Sequence, residues 1–599
     1  MRPAVTVDKR DARARADRAL RANNPGEALG YLWQLVDRSH VIDEELTQYL
    51  RSMGQAYHML GRSRAAATIL LFLGRVKEAA DLSRDVPLDL ARCAQHHGSH
   101  ETAAQYFEQA GWLGHAAIQL EDAGNLRAAR VLWEQLAEDA RLRDQPYTQG
   151  LVRFNLGRAC KALDDRGAAR RHTIQAMHLL EAAADGFETQ GMRERAFDCY
   201  QIIMTIGKGG SFENLAEGYL NCIRILREDN LKYYVLQYYE DFQALALERG
   251  ELHAAATLFR EAAEYARRQG MPYARHYQHR GAEVHVEAAR RTLADGGTPE
   301  LAENSYAAAI DAFNELGLYS RVREIYGLLA QLPLADKRKA RYARLQQRLA
   351  EMEDDRTPMS AFPDYLRMDT AYPEIWRLDV IEWEQAGDPA ETMAEVIQDQ
   401  KWPDFTRRRA LLCRLAQLET GEPTPSVATL ERLTGYLGRV EIYAALAPLE
   451  TMYESESAAV RAGVLKAVRQ LFFKRSFALV ILGLADPDAN VRREALAAVG
   501  ALHFGHAFDP LSRIYREASD PEVRRASLAS IGKIPSVQAA ELLIDVLRHG
   551  DRVERDLARE LLVRADHTEV TPLLQRAAAA ESGAARAEFD KVLRMRGAV

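Results

Sequence analysis

Histidine and cysteine residues cluster at two places in this chain where they could bind a metal ion. The clusters are Cys93, His96, His97 and His100 in CAQHHGSH, and His276, His279 and His285 in HYQHRGAEVH. Cys-x2-His and His-x2-His spacings can supply zinc ligands. Neither cluster offers a complete four-ligand set with a recognised spacing. We therefore interpret these side chains as solvated or core-edge residues of helices, and we expect no metal and no other cofactor.

A glycine-rich segment, IGKGGS at residues 206–211, has the composition of a phosphate-binding loop. That loop requires GxxxxGK[ST] between a strand and a helix. The first glycine, a hydroxyl directly after Lys208 and a preceding strand are all missing, so we interpret the segment as a turn between helices. Motifs such as GxSxG and HExxH are also absent in any suitable context. The sequence therefore predicts no catalytic residue and no enzymatic activity.

Tyrosines are concentrated in LKYYVLQYYEDF, at positions 233, 234, 238 and 239. On a helix, Tyr234 and Tyr238 are i,i+4 neighbours on one face. Tyrosine is favoured at recognition surfaces because it is large, rigid and amphipathic. Two interpretations stay open: the ring pair packs between helical repeats, or it forms a candidate partner-binding site for a peptide.

Basic residues form two runs, DKRKARYARLQQR at 336–348 and TRRRALLCR at 406–414. In the second run, Arg407, Arg408 and Arg409 are candidate contacts for an acidic protein or a nucleic acid. A solvated or internally paired helix face is the alternative.

Composition limits the kind of partner. The 599 residues carry a net charge of -7, so no overall basic field attracts phosphate backbones, and nucleic acid is disfavoured as a partner. The five cysteines are scattered and form no disulfide framework. The charged first twenty residues lack a signal-peptide core, and no stretch approaches 18 apolar residues, so we expect a cytoplasmic protein without a membrane span. The bias toward alanine and arginine favours a bacterial source.

Four similar segments in the last quarter predict a stacked helical array. They are SAAVRAGVLKAV, DANVRREALAAV, DPEVRRASLASI and GDRVERDLAREL, with their key valines at Val460, Val491, Val523 and Val553. The valines are separated by 31, 32 and 30 residues, and a period of 20–50 residues is typical of solenoids. These segments resemble HEAT repeats of the short kind seen in proteins similar to phycobilisome lyases.

The HEAT-like segments also show how their helices begin and stack. Asp488 and Asp520 precede the second and third helices, where an N-cap belongs. The arginine after each of the first three valines, at 461, 492 and 524, would form a ladder along the array. By the resemblance, this ladder bonds acidic groups or carbonyls of neighbouring units; an anion-binding stripe is the alternative.

A second repeated pattern, G-x4-A-x3-F-x2-A, occurs upstream. Its two full copies are Gly98, Ala103, Phe107 and Ala110, and Gly250, Ala255, Phe259 and Ala262. Glycine permits a tight turn, alanine lets two helices approach, and the aromatic ring fills space against the next pair. This pattern resembles tetratricopeptide repeats, although the closing proline is generally missing and the spacing is irregular.

These observations predict an all-α protein, a double α-solenoid of stacked hairpins. The predicted domains are a tetratricopeptide-like array at 1–350, a junction with prolines at 358, 363 and 373 at 351–375, a helical transition at 376–455 and HEAT-like repeats at 456–599. We expect a non-enzymatic scaffold that holds a peptide or helix of one or more partner proteins in its grooves. The alternatives are a bilin-lyase-like enzyme and a HEAT-type nucleic-acid-binding protein. The sequence gives no basis for an oligomeric state.

Overall fold

The computed structural model describes residues 8–39, 41–367, 370, 376–386, 388–419 and 426–597. These residues form 33 α-helices and four short 3-10 turns, and they include no β-strand. The prediction of an all-α solenoid is thereby confirmed. Within this part of the chain, no helix has both the length and the apolar character needed to cross a membrane.

Two compact units divide the chain. Unit 1 comprises Met1–Cys199 together with Pro373–Val599, and unit 2 comprises Tyr200–Tyr372. The domain bounds predicted from the sequence stay a prediction.

The first part of unit 1 is a series of helical hairpins that ends within α12. Its helices are α1 (Lys9–Arg21), α2 (Pro25–Arg38), α3 (Glu44–Met59), α4 (Ser63–Phe72), α5 (Val76–Leu82), α6 (Pro87–His96), α7 (His100–Gln109), α8 (Leu113–Asp122), α9 (Leu126–Ala137), α10 (Pro146–Ala162), α11 (Arg166–Thr189) and α12 (Arg193–Gly207). Gly98 lies in the turn before α7 with a φ of +75°, a conformation that glycine adopts without steric cost. Ala103 and Phe107 on α7 are fully buried.

Unit 2 consists of the end of α12 and seven further helices. They are α13 (Phe212–Glu228), α14 (Lys232–Glu248), α15 (Leu252–Arg268), α16 (Ala274–Ala294), α17 (Pro299–Leu316), α18 (Tyr319–Gln331) and α19 (Asp336–Arg348). Gly250 occupies the turn before α15, where Ala255 and Phe259 are buried. Residues 352–363 contain no helix, and Pro373 of the predicted junction lies outside the described residues.

The second part of unit 1 contains the predicted HEAT-like segments. Its helices are α20 (Trp376–Gln385), α21 (Met393–Gln398), α22 (Asp404–Leu418), α23 (Val427–Leu437), α24 (Leu446–Tyr453), α25 (Ala458–Val468), α26 (Ser476–Leu484), α27 (Ala489–Ala501), α28 (Phe508–Glu517), α29 (Pro521–Ile531), α30 (Val537–His549), α31 (Arg552–Arg564), α32 (Val570–Ala580) and α33 (Gly583–Met595). Helices α23, α25, α27, α29, α31 and α33 pack side by side as one layer. The intervening helices from α24 to α32 form the second member of each hairpin.

The fourth HEAT-like segment differs from the predicted register. Val460, Val491 and Val523 are buried, whereas Val553 is 52% exposed. Glu554 takes the buried position instead, because its carboxylate completes a capping box with Asp551 at the start of α31. The alignment of Val553 with the other three valines is therefore wrong by one residue.

Candidate protein-interaction groove

A groove of about 560 Å³ lies over the first-helix layer of unit 1, at α23, α25 and α27. Its small residues are Gly435, Ala459, Ala462, Gly463 and Ala467, and its polar residues are Glu431, Thr434, Lys466, Arg469, Gln470, Asn490, Arg493 and Glu494. The small side chains leave room for a partner's backbone to approach closely. The polar ones can set the orientation of a bound segment.

Glycines hold α23 and α25 close together beneath this groove. A Cβ added at Gly438 would lie 2.7 Å from the Cα of Ala467, and one added at Gly463 would lie 2.6 Å from Thr434 Oγ1. Neither distance is compatible with an unchanged packing. The depth and spacing of the groove therefore depend on these two residues having no side chain.

Substituting glycine by alanine at two positions should distinguish the effect of close packing on stability from the effect of helix propensity. Gly438→Ala places its methyl group against backbone, so we expect a destabilisation of about 1–3 kcal/mol. Gly435→Ala, three residues away in the sequence, meets nothing within 4 Å and should be neutral or stabilise by up to about 1 kcal/mol. Thermal denaturation of the two full-length variants measures the difference. Equal melting temperatures would show that α23 and α25 move apart freely.

Charges of both signs border the groove. Arg469 pairs with Glu494 across α25 and α27, with 3.2 Å between Nη1 and Oε2. Arg493 donates a hydrogen bond to the Asn490 side chain on its own helix. Lys466 is exposed on the same border. The groove thus offers cationic groups that suit carboxylates of a partner.

Two arginines of the predicted ladder tie successive HEAT-like units together, and the third bonds within its own unit. Arg461 binds Asp486 at the start of the next unit, with 2.8 Å between Nε and Oδ2. Arg524 makes the corresponding 2.8 Å contact from Nε to Glu554. Arg492 donates to the carbonyl oxygens of Asp486 and Pro487. These arginines bond acids and carbonyls of the array itself, so they position its helices.

Helices α20–α22 pack against the first part of unit 1, and buried charges line this contact. Helix α22 contacts α4, while α20 contacts α8 and α10. Arg92 faces Glu391 and Glu395 at 3.4 and 3.1 Å. Arg414 binds Glu391 as well, and Asp388 at 3.1 Å. Burial raises the pKa of Glu391, and the facing Arg414 opposes that shift.

A histidine with two carboxylate partners lies in the same contact, which we call the polar interface. Glu384 on α20 accepts hydrogen bonds from the backbone N–H groups of Gly114 and His115 at the start of α8. His115 Nδ1 lies 2.6 Å from Glu384, and Nε2 lies 3.4 Å from Glu395. Burial alone would lower the pKa of His115, but its bonds to the two carboxylates outweigh burial and raise it. Burial alone would raise the pKa of Glu395, but its hydrogen bond with His115 and the charge of Arg92 lower that pKa to about 2.

A third buried cluster surrounds Arg475, just before α26. Its guanidinium binds Glu450 through two contacts of 2.8 and 2.6 Å, and it faces Asp379 and Glu382 at 3.7 and 3.8 Å. The hydroxyl of Tyr147 on α10 donates to Asp379 at 2.8 Å. Burial raises the pKa values of Asp379 and Glu382, and Arg475 opposes the rise.

The predicted basic contacts at 407–409 are internal. Arg408 is fully buried and donates to the carbonyl oxygens of Val36 and Asp37, at the C-terminal end of α2. Arg409 Nη1 binds the carboxylate of Asp37 at 2.9 Å. Arg407 donates to the carbonyl of Ile397. A cation at the C-terminus of a helix satisfies its last carbonyls, so the paired alternative describes these residues.

The predicted tyrosine site is also in the interior. Tyr234 and Tyr238 are 8% and 3% exposed, which leaves little surface for a partner. The Tyr238 hydroxyl accepts a hydrogen bond from Gln201, and its ring meets that of Tyr219 edge-on. Their burial supports the packing interpretation and not an exposed peptide site.

The remaining candidates are the histidine and cysteine clusters and the IGKGGS loop. In the part of the chain that the structure describes, no three His, Cys, Asp or Glu side chains are grouped as metal ligands. Burial raises the pKa of the Cys93 thiol to about 12, which keeps it protonated. In IGKGGS, carbonyl oxygens of Gly207, Lys208 and Gly210 accept hydrogen bonds from Arg249. This loop thus turns carbonyls, not amides, toward a cation.

Sequence patterns missed both the groove and the polar interface. A usable signal was present in IWRLDVIEWEQ, where Asp379 and Glu382 are interleaved with apolar residues on one helix. Such charges indicate a buried ionic partner. For the groove, the signal was a glycine at Gly435 and again at Gly463, within neighbouring first helices.

Comparison with known proteins identifies HEAT repeats in part of the chain. Residues 477–563 match the family model of HEAT repeats. Similar solved structures include a circular tandem repeat protein with novel repeat topology and enhanced subunit contact surfaces, at 15% identity over 92% of this chain and 97% of that one, with a TM-score of 0.11. Another is She4p, at 12% identity over 99% of this chain and 97% of that one, with a TM-score of 0.18. No curated protein matches.

The match confirms HEAT repeats within the C-terminal part of the chain. The tetratricopeptide-like type of the N-terminal part and the phycobilisome-lyase type of the C-terminal repeats stay predictions.

Proposed function

We propose that this protein is a non-enzymatic scaffold that binds partner proteins on its helical-repeat surfaces. The supporting observation is the groove over α23, α25 and α27, with its glycine and alanine residues and its charged border. A solenoid groove of this kind suits a helix or an extended segment of a partner. We also retain the tetratricopeptide-like assignment of residues 8–350 and a cytoplasmic location as parts of this proposal.

The bound segment should carry acidic residues. Lys466 and Arg493 border the groove as exposed cations, while Arg469 is already paired with Glu494. A carboxylate placed opposite Lys466 and Arg493 gains attraction and faster association, because complementary charge steers encounter. Small residues on the partner would allow the close backbone approach that Gly463 and Ala459 permit.

Charge reversal at the groove should abolish partner binding. We expect the double variant Lys466→Glu and Arg493→Glu to lose more than tenfold in recovery of partners from the native host, because like charges now oppose the bound carboxylates. A photo-crosslinking residue at Gln470, on the same border, should attach to the same partners in the parent chain. Quantitative mass spectrometry of both samples provides the measurement.

The matched control is Arg555→Glu with Lys591→Glu, which makes the same charge change on exposed residues of α31 and α33. This control should recover partners at the parent level. If both double variants lost partner recovery equally, the cause would be the change in net charge and not the groove. Full recovery by the groove variant, or a Gln470 position that yields no crosslink, would contradict the proposal.

A further inference from the structure

An irregular segment of unit 2 lies across three of its helices. We call residues 354–367 with Thr370 the cover segment. Pro358 and Pro363 keep it out of a regular helix, and its only helical element is the single 3-10 turn Asp364–Leu366. It contacts α18, α16 and α14 in turn. Alternate helices of a hairpin array share one layer, so the cover segment follows one layer of unit 2.

Two aspartates fix the first end of the cover segment. Asp354 accepts hydrogen bonds from the backbone N–H and the hydroxyl of Ser320, in the first turn of α18, at 2.8 and 2.5 Å. Asp355 binds Arg275 of α16 at 2.9 Å, and its N–H donates to the carbonyl of Gly317. The helix N-terminus and Arg275 together make a binding place for paired carboxylates.

An aromatic side chain anchors the middle of the cover segment. Phe362 is 4% exposed and meets the ring of Tyr273 edge-on at 5.5 Å between centroids. Leu366, four residues later, is also buried. Buried aromatic anchors of this kind usually dominate the affinity of a bound peptide.

Acidic side chains on α14 hold the other end. Glu240 binds Arg367 and also accepts a hydrogen bond from Tyr277 of α16. Asp241 accepts a hydrogen bond from the hydroxyl of Thr370 at 2.7 Å. The surface is therefore cationic where the segment is acidic, apolar in the middle, and acidic where the segment carries its arginine.

We propose that this layer of α14, α16 and α18 is a peptide-binding surface that the chain's own cover segment occupies. Its partner is an extended peptide of another protein that carries paired carboxylates, then an aromatic residue, then an arginine, in the order of Asp354, Asp355, Phe362 and Arg367. The contacts are those of a bound peptide: two polar ends, one buried aromatic anchor, and no shared secondary structure. This inference does not depend on the groove over α23, α25 and α27.

The attached segment controls access to this surface by mass action. A tethered ligand has an effective concentration in the millimolar range, so a free peptide of equal intrinsic affinity competes poorly with it. Weakening the tethered copy should open the surface to peptides in solution. The affinity for a free peptide should therefore differ between the parent and a variant whose cover segment binds weakly.

The test uses a fluorescein-labelled synthetic peptide with the sequence of residues 352–370 and the full-length chain. We expect the variant Phe362→Ala with Arg367→Ala to bind the peptide at least tenfold more tightly than the parent, as measured by fluorescence anisotropy. The matched control, Arg356→Ala with Ser360→Ala, alters exposed residues of the same segment and should bind as weakly as the parent. We call the Phe362→Ala, Arg367→Ala chain the released variant. Adding Glu240→Gln to it, or replacing the phenylalanine of the peptide by alanine, should weaken peptide binding at least tenfold.

A second measurement needs no variant. Excess ¹⁵N-labelled peptide, added to the parent chain at millimolar concentration, should raise hydrogen exchange in the cover segment while α14, α16 and α18 stay protected. Unchanged exchange at that concentration would overturn the proposal, because the segment would then be a permanent part of unit 2. A released variant that keeps the melting temperature of the control but binds no peptide would overturn it too. Dimers of the released variant would assign the surface to a second copy of this chain and overturn the partner-peptide assignment.

Discussion

Replacing Arg475 by methionine should destabilise unit 1 by about 3–5 kcal/mol, the usual cost of removing one member of a buried ionic cluster. The change removes the cation that faces Asp379, Glu382 and Glu450, while methionine retains much of the side-chain volume. Arg195, 3.9 Å from Glu450, would remain nearby, but the carboxylates would have to be protonated or lose part of their charge compensation. Thermal denaturation of the full chain, with hydrogen exchange to assign the loss to unit 1, measures the effect.

The loss at Arg475 should depend on pH in a defined direction. Because the pKa values of Asp379 and Glu382 are raised in the folded protein, folding favours their protonated forms, and this contribution is lost as the pH rises. Arg475 lowers both pKa values, so its removal raises them further and adds a cost that grows as the carboxyls ionise. The deficit of Arg475→Met should therefore be smaller at pH 5 than at pH 7.5. Arg469→Met is the control, since Arg469 pairs with Glu494 at the surface and should contribute at most about 1 kcal/mol. A pH-independent deficit, or one no larger than that of the control, would contradict the buried-cluster account.

The second large effect is expected for Glu384→Gln in the polar interface. This change removes the negative charge that His115 faces and weakens the cap on the first N–H groups of α8. We expect a destabilisation of about 3–5 kcal/mol at pH 6, because a buried histidine whose pKa is raised loses one of the two carboxylates that favour its charged form. Thermal denaturation and hydrogen exchange of α8 provide the measurement.

The sign of the pH dependence follows from the raised pKa of His115. A histidine whose pKa is raised on folding stabilises the folded state fully below its unfolded pKa, about 6.5, and this contribution is lost as the pH rises through the folded pKa. The difference between the parent and Glu384→Gln should therefore be largest at pH 6 and should narrow toward pH 9. Glu108→Gln, an exposed position on α7, should change little at either pH. A difference that widens with pH would contradict the assignment of a charged His115.

Local rules predict the parts of this fold that depend on neighbouring residues. The positions of Val491 and Ala495 on one face of a helix, and of Asp488 at its start, follow from i,i+4 periodicity and N-capping. The same rules failed at α31, where Glu554 replaces Val553 on the buried face. A capping box and a half-buried salt bridge with Arg524 outweighed hydrophobicity there, and periodicity cannot detect either.

The polar interface and the burial of the basic run could not be predicted in the same way. Arg92 and Glu391 are separated by 299 residues, and nothing in either local sequence identifies the other as its partner. A run such as Arg407, Arg408 and Arg409 looks solvated because charges are usually exposed. Only the return of α22 to the end of α2 supplies the carbonyls that make burial of Arg408 possible.

The division of unit 1 into two distant stretches has a consequence during protein synthesis. The faces of α4, α8 and α10 that α20 and α22 cover are translated long before those helices, because all of unit 2 is translated in between. At a ribosomal rate of about 5–20 residues per second, the roughly 210 residues between the end of α10 and the start of α20 alone take about 10–45 s. During that interval Arg92, His115 and the end of α2 are still without their partners from α20–α22. The N-terminal part of unit 1 therefore completes its packing only after α22 has been synthesised.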